Sequence, residues 1–126
     1  MNAEWKLVRL ELARTADYPE GSSDRAYVLR LPLDEDGLIY EAAIAFHPEL
    51  ATVRRSWPNE RDRKGYLVKK PNGWAFSYAL GDDDDEAIYH LEFHPIRLGD
   101  YITLTESDGE RLPFRVVQLT PDGVIG

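Results

Sequence analysis

The sequence predicts an all-β, mainly antiparallel protein: about eight short strands closed as a meander-type barrel or barrel-like sheet, with one short helix around 39–46. Three observations carry this. Apolar residues recur with a period of two in short runs, turn-forming residues separate those runs about every ten residues, and one stretch, Gly65 to Tyr78, has the full form of a hairpin. Sequential hairpins close naturally as a meander, which favours the barrel over the alternative, a β-sandwich.

Taken in order, Glu4 to Leu12 reads as a first strand, with Trp5 and Leu7 on one parity and Leu10 and Leu12 on the other. A phase change near Val8-Arg9 predicts a β-bulge there. The turn formers Pro19, Gly21, Ser22 and Ser23 make Thr15 to Asp24 a loop. Arg25 to Leu33 is a second strand presenting Tyr27, Leu29, Leu31 and Leu33 on one face. After Asp34-Glu35-Asp36-Gly37, the residues Ile39, Ala42, Ala43 and Phe46 fall at helical spacing, and the helix must end before Pro48. Thr52 to Trp57 returns to β character, and Pro58 to Lys64 is a polar loop.

Tyr66, Val68 and Lys70 pair with Trp74, Phe76 and Tyr78 across Pro71-Asn72-Gly73. Proline at the first turn position and glycine where a positive φ is needed fit a type I turn with a G1 bulge. The row Trp74, Phe76, Tyr78 is a core face, because the opposite face (Ala75, Ser77, Ala79) is small and aromatics dominate core packing. Asp82 to Glu86 is an acidic loop and Ala87 to His94 a strand. A closing hairpin runs from Tyr101–Thr105 to Leu112–Leu119, turning at Ser107-Asp108-Gly109.

At 126 residues the chain suits a single domain over 1–126, and 43% hydrophobic with 30% charged residues is an ordinary globular balance. With no cysteine there is neither a disulfide framework nor a thiolate site, and a reducing cytoplasm suits the chain. No signal-peptide core stands at the N-terminus, and the apolar run Ala42 to Phe46 is far short of a membrane span.

A net charge of −8 disfavours general binding to nucleic acid or anionic membrane, since phosphate affinity comes from Lys and Arg releasing counterions. The charge is uneven. Between Arg54 and Lys70 seven basic residues face two acids, a local +5 that leaves −13 elsewhere.

The phrases Gly73-Trp74-Ala75-Phe76-Ser77-Tyr78 and Leu98-Gly99-Asp100-Tyr101-Ile102-Thr103-Leu104-Thr105, followed by Asp108-Gly109 and Leu112-Pro113-Phe114-Arg115-Val116-Val117, resemble a group of small bacterial proteins of similar length with no assigned activity. The resemblance covers most of the chain and implies no catalytic or binding residue.

Two functional readings follow from the residues themselves. The first is a non-catalytic binding or interaction module acting through Arg54, Arg55, Trp57, Arg61 and Arg63, where guanidiniums and an indole suit a small anionic ligand or a protein partner. On a strand Arg54 and Arg55 face opposite ways, which halves that patch. The alternative is a metal-dependent enzyme using His90 and Glu92 with His94 or His47, since two imidazoles and a carboxylate form many catalytic metal sites. Strand geometry resists the second reading: positions four apart are separated by ~13.5 Å, so His90 and His94 reach one ion only on a bent strand. The acidic run lacks the spaced ligand pattern of a calcium loop, and no nucleophile-elbow serine, phosphate loop or dinucleotide fingerprint is present. No cofactor is implied.

Overall fold

The structure is a computed structural model that describes residues 3–71, 73–78, 86–88, 95–106 and 108–121, with 86–88 as backbone. Among these residues the strands are β1 (Glu4–Leu12), β2 (Ser22–Leu33), β3 (Thr52–Ser56), β4 (Arg63–Lys70), β5 (Gly73–Ser77), β6 (Glu86–Ile88), β7 (Tyr101–Thr105) and β8 (Arg111–Pro121). Every neighbouring pair is antiparallel, and β8 pairs back onto β1, so the sheet closes as an eight-stranded up-and-down barrel and not as a sandwich. Closure removes the exposed edges that an open sheet would have to protect.

The interior follows from alternation. Val8, Leu10 and Leu12 of β1, the whole Tyr27-Leu29-Leu31-Leu33 row of β2, Leu67 of β4, and Trp74 and Phe76 of β5 are buried, as are Ile102 and Leu104 of β7 and Phe114 and Val116 of β8. Tyr27 is the hub of an aromatic layer: its ring centroid lies 5.1 Å from Phe114, 5.4 Å from Phe76 and 5.8 Å from Trp57. Offset and edge contacts at these spacings add to simple area burial. The expected aromatic row is therefore core, with Tyr78 partly buried against it.

Three expectations shift. Helix α1 spans Glu41–Phe46 and begins two residues later than predicted, because Ile39 bridges Leu33 and the Tyr40 amide donates to the Pro32 carbonyl at 2.9 Å. It is followed by a 3-10 turn, Pro48–Leu50. β2 starts at Ser22, where Leu12 pairs after a register shift. The bulge predicted in β1 lies on its partner: Arg9 and Leu10 pair with Gln118 and Val116, so Val117 is the extra residue and it belongs to β8. β1 itself keeps unbroken register with β2 from Glu4 to Glu11. Its change of phase has a different cause, since Trp5 and its register partner Pro32 are buried on the outer parity beside the departing β2–β3 connection.

That connection is held by Asp34, whose Oδ1 accepts the amides of Asp36 at 2.8 Å and Leu38 at 3.0 Å. A fourth expectation shifts at the β4–β5 hairpin: Lys70 pairs with Gly73, which has a φ of 128°, so the connection is Pro71-Asn72 and the register moves by one residue. Leu67 stands opposite Phe76 and Lys69 opposite Trp74, while Tyr66 and Val68 pair with Ser77 and Ala75 and not with the aromatic row. Asn72, and with it the expected turn type, lies outside the described residues, as do Ser107, the acidic residues Asp82 to Asp85 and the continuation of β6 to His94. Among the described residues no helix is long and apolar enough to cross a membrane.

Candidate functional site

Two features of β3 and β7 bring charge to one end of the barrel. Along β3 the inward parity runs Val53, Arg55, Trp57; along β7 it runs Ile102, Leu104, Glu106. In each case a charged residue occupies the place where alternation calls for an apolar one. The two meet: Arg55 Nη2 lies 3.6 Å from Glu106 Oε2. Arg55 is 7% exposed, the one buried charged residue among those described.

A second carboxylate reaches Arg55 through local turn chemistry. Trp57-Pro58-Asn59-Glu60 is closed by the Glu60 amide donating to the Trp57 carbonyl at 3.3 Å, with Asn59 at φ 63°. Proline followed by a residue tolerant of the left-handed region is the order a type II turn takes. The turn sends Glu60 back along the strand, where Arg55 Nη1 donates to its Oε1 at 3.1 Å.

The guanidinium is also stacked, 3.7 Å from the centroid of the Trp57 ring. Arg63, directly opposite Arg55 in register, lies 4.4 Å over Tyr78. Two like charges face each other across β3 and β4, an arrangement that is unfavourable alone. Aromatic faces and the carboxylates of Glu60 and Glu106 offset it.

Above this layer opens a cleft of about 640 Å³ between the β1–β2 and β7–β8 loops, with Leu12, Arg55 and Trp57 on its floor. Its volume lies within the usual range for small-molecule sites. One wall is ordered by Tyr18, whose amide donates to Thr15 Oγ1 at 3.0 Å and whose ring lies 4.3 Å beneath the Arg25 guanidinium. The other is ordered by the Glu106 amide donating to the Glu110 carbonyl at 2.8 Å and the Glu110 amide to Asp108 Oδ1 at 2.9 Å. Ala13 donates to the Pro113 carbonyl at 2.9 Å and ties the first loop to β8. Arg14 and Arg111 stand on the rim, so the cleft offers four guanidiniums and two aromatic rings, interspersed with Asp17, Glu106, Asp108 and Glu110.

The five candidate binding residues are thus divided. Arg55 and Trp57 form the floor of the cleft, and Arg63 shares their parity. Arg54 points out of the barrel and lies 3.8 Å from Asp62, and Arg61 is exposed on the β3–β4 loop. The residues that sequence reasoning missed are Glu60, Glu106, Arg14, Arg25, Arg111 and Tyr18. For Glu106 a signal existed in its shared parity with Ile102 and Leu104.

Of the alternative metal set, His90, Glu92 and His94 lie outside the described residues. His47 caps α1 at the opposite end of the barrel from the cleft, exposed, with its Nδ1 3.4 Å from Glu49. Among the described residues no group of three His, Asp or Glu side chains is placed to hold a metal. Compared with protein-family models, curated proteins and solved structures, the chain finds no match.

Proposed function

We propose that the protein is a non-catalytic binding module whose barrel-mouth cleft takes a small ligand carrying an anionic group on a flat apolar ring. The observation that carries this reading is the buried Arg55 stacked on Trp57 at the floor of an open, hydrogen-bonded cleft. A barrel filled by aromatic side chains leaves binding to its mouth, where the walls are already ordered and little entropy is lost on association.

In this reading Trp57 and Tyr18 offer faces for a ring, and the rim guanidiniums of Arg14 and Arg111 offer paired donors to a carboxylate or sulfonate. Arg55 is largely committed to Glu60 and Glu106, so it serves to hold the indole in place and leaves the anion to the rim guanidiniums. The acids interspersed on both walls lower the total attraction for multiply charged anions and favour a singly charged ligand.

Titration calorimetry with 2-naphthoate as probe tests the proposal, with the neutral 2-naphthol as control. Naphthoate is expected to bind and naphthol to bind more weakly, and the rim variant R14A/R111A to weaken naphthoate by roughly tenfold, as loss of charge-assisted hydrogen bonds implies. Equal affinity for the two probes, or an R14A/R111A variant that binds naphthoate as the wild type does, would refute it.

A further inference from the structure

The outer wall of the barrel carries a second feature, remote from the mouth. Outward-facing residues of β1 to β4 mix cations with apolar side chains: Leu7 lies beside Arg30, Val28 beside Arg54, Arg54 beside Lys64, and Thr52 beside Tyr66. Together they line a groove of about 460 Å³. Three cations stand on three adjacent strands: Arg54 and Lys64 are direct register partners, Arg30 lies diagonally from Arg54, and Leu7, Val28 and Tyr66 flank them. Tyr66 is 49% exposed. Arg54 meets Asp62 only at 3.8 Å and in solvent, a contact of little strength that a partner's carboxylate can replace.

From this pattern we infer that the outer face of β2–β4 is a docking surface for an acidic protein segment in which carboxylates alternate with apolar side chains. Charge complementarity selects the partner. Arg30, Arg54 and Lys64 make this groove positive on a chain of net charge −8, so an acidic segment is attracted here and repelled by the acidic surface elsewhere. A nucleic acid has the same sign, but its continuous phosphate chain extends beyond three cations onto the negative remainder. Among the described residues the sheet closes on itself and β2–β4 are each paired on both sides, so the segment docks by its side chains on the face. The mixed face suits an extended segment with acids toward Arg30, Arg54 and Lys64 and apolar side chains over Leu7, Val28 and Tyr66, and the adjacent like charges of Arg54 and Lys64 gain most from a carboxylate between them.

Fluorescence anisotropy with a fluorescein-labelled peptide of alternating Glu and Leu tests this, against a Glu-Ser peptide and oligothymidylate of matched length. The Glu-Leu peptide is expected to bind tightest. Reversing charge in R54E/K64E should weaken it by more than about tenfold, as should each single reversal in part, and Y66S should weaken it by roughly threefold. The R14A/R111A variant should bind it unchanged, which separates this face from the mouth. The inference is overturned by unaltered binding in R54E, K64E and their double variant, or by oligothymidylate binding more tightly than the peptide. It is equally overturned if light scattering finds a wild-type dimer that R54E/K64E converts to a monomer, since the occupant is then a second copy.

Discussion

Replacing Glu106 by glutamine keeps the shape of the side chain and removes one negative charge from beside a buried guanidinium. The cost follows from the exposure of the two carboxylates that hold Arg55: the side chain of Glu106 is 14% exposed and that of Glu60 is 51% exposed. A solvated pair such as Arg55–Glu60 contributes about 0.5 kcal/mol, within the range for surface ion pairs. Removing one partner from a buried pair costs about 3–5 kcal/mol when the remaining charge has no other partner. Arg55 retains Glu60, and its separation from Glu106 is 3.6 Å, so about 2 kcal/mol is expected for E106Q. For a domain of this size that is a fall in Tm of roughly 8 °C, against about 2 °C for E60Q. Thermal and urea unfolding followed by circular dichroism reads both. The apolar double variant R55M/E106L should recover most of the loss, since replacing a whole buried pair is often close to neutral. Equal effects of E106Q and E60Q, or a double variant less stable than E106Q, would refute the reasoning.

Two further substitutions test the architecture beneath the site. A Cβ at Gly65 would overlap the carbonyl oxygen of Ser77, so G65A must displace the backbone of β5; a loss of more than about 3 kcal/mol in urea unfolding is expected, and a near-neutral change would contradict that close approach. Phe76 is fully buried and its ring centroid lies 5.4 Å from that of Tyr27; F76A should cost about 3–5 kcal/mol in the same assay, and a loss below about 1 kcal/mol would mean that the aromatic layer is not the core of the barrel.

Much of the fold was legible because period-two alternation maps directly onto the two faces of a strand. The Tyr27 to Leu33 row and the β7–β8 hairpin stand where alternation and turn residues put them. By contrast, β4 pairs with β5 one residue away from the expected register, because the two-residue connection brings Lys70 opposite Gly73 and sets Leu67, not Tyr66 or Val68, on the core face. The bulge was misplaced because a phase change in one strand has two physical origins. An extra residue produces one, and cover over the outer face of a strand end, as at Trp5 and Pro32, produces the other. Half of the site was legible in the same way: opposite facing of Arg54 and Arg55 follows from pleating alone. The partner of Arg55 was not, because Glu106 is remote in sequence and reaches it only when β3 and β7 face one another inside a closed barrel. Glu60 depended on a Pro-Asn turn inside a loop dominated by charge, where the turn signal was overshadowed.

Binding at the barrel mouth is tested most directly by side-chain nuclear magnetic resonance, since the protein has three tryptophans and only Trp57 lines the cleft. On titration with 2-naphthoate the indole N–H of Trp57 and the Nε–H of Arg55 should shift together and saturate, while the indoles of Trp5 and Trp74 stay in place. A stationary Trp57 signal, or shifts confined to Trp5 or Trp74, would contradict the account.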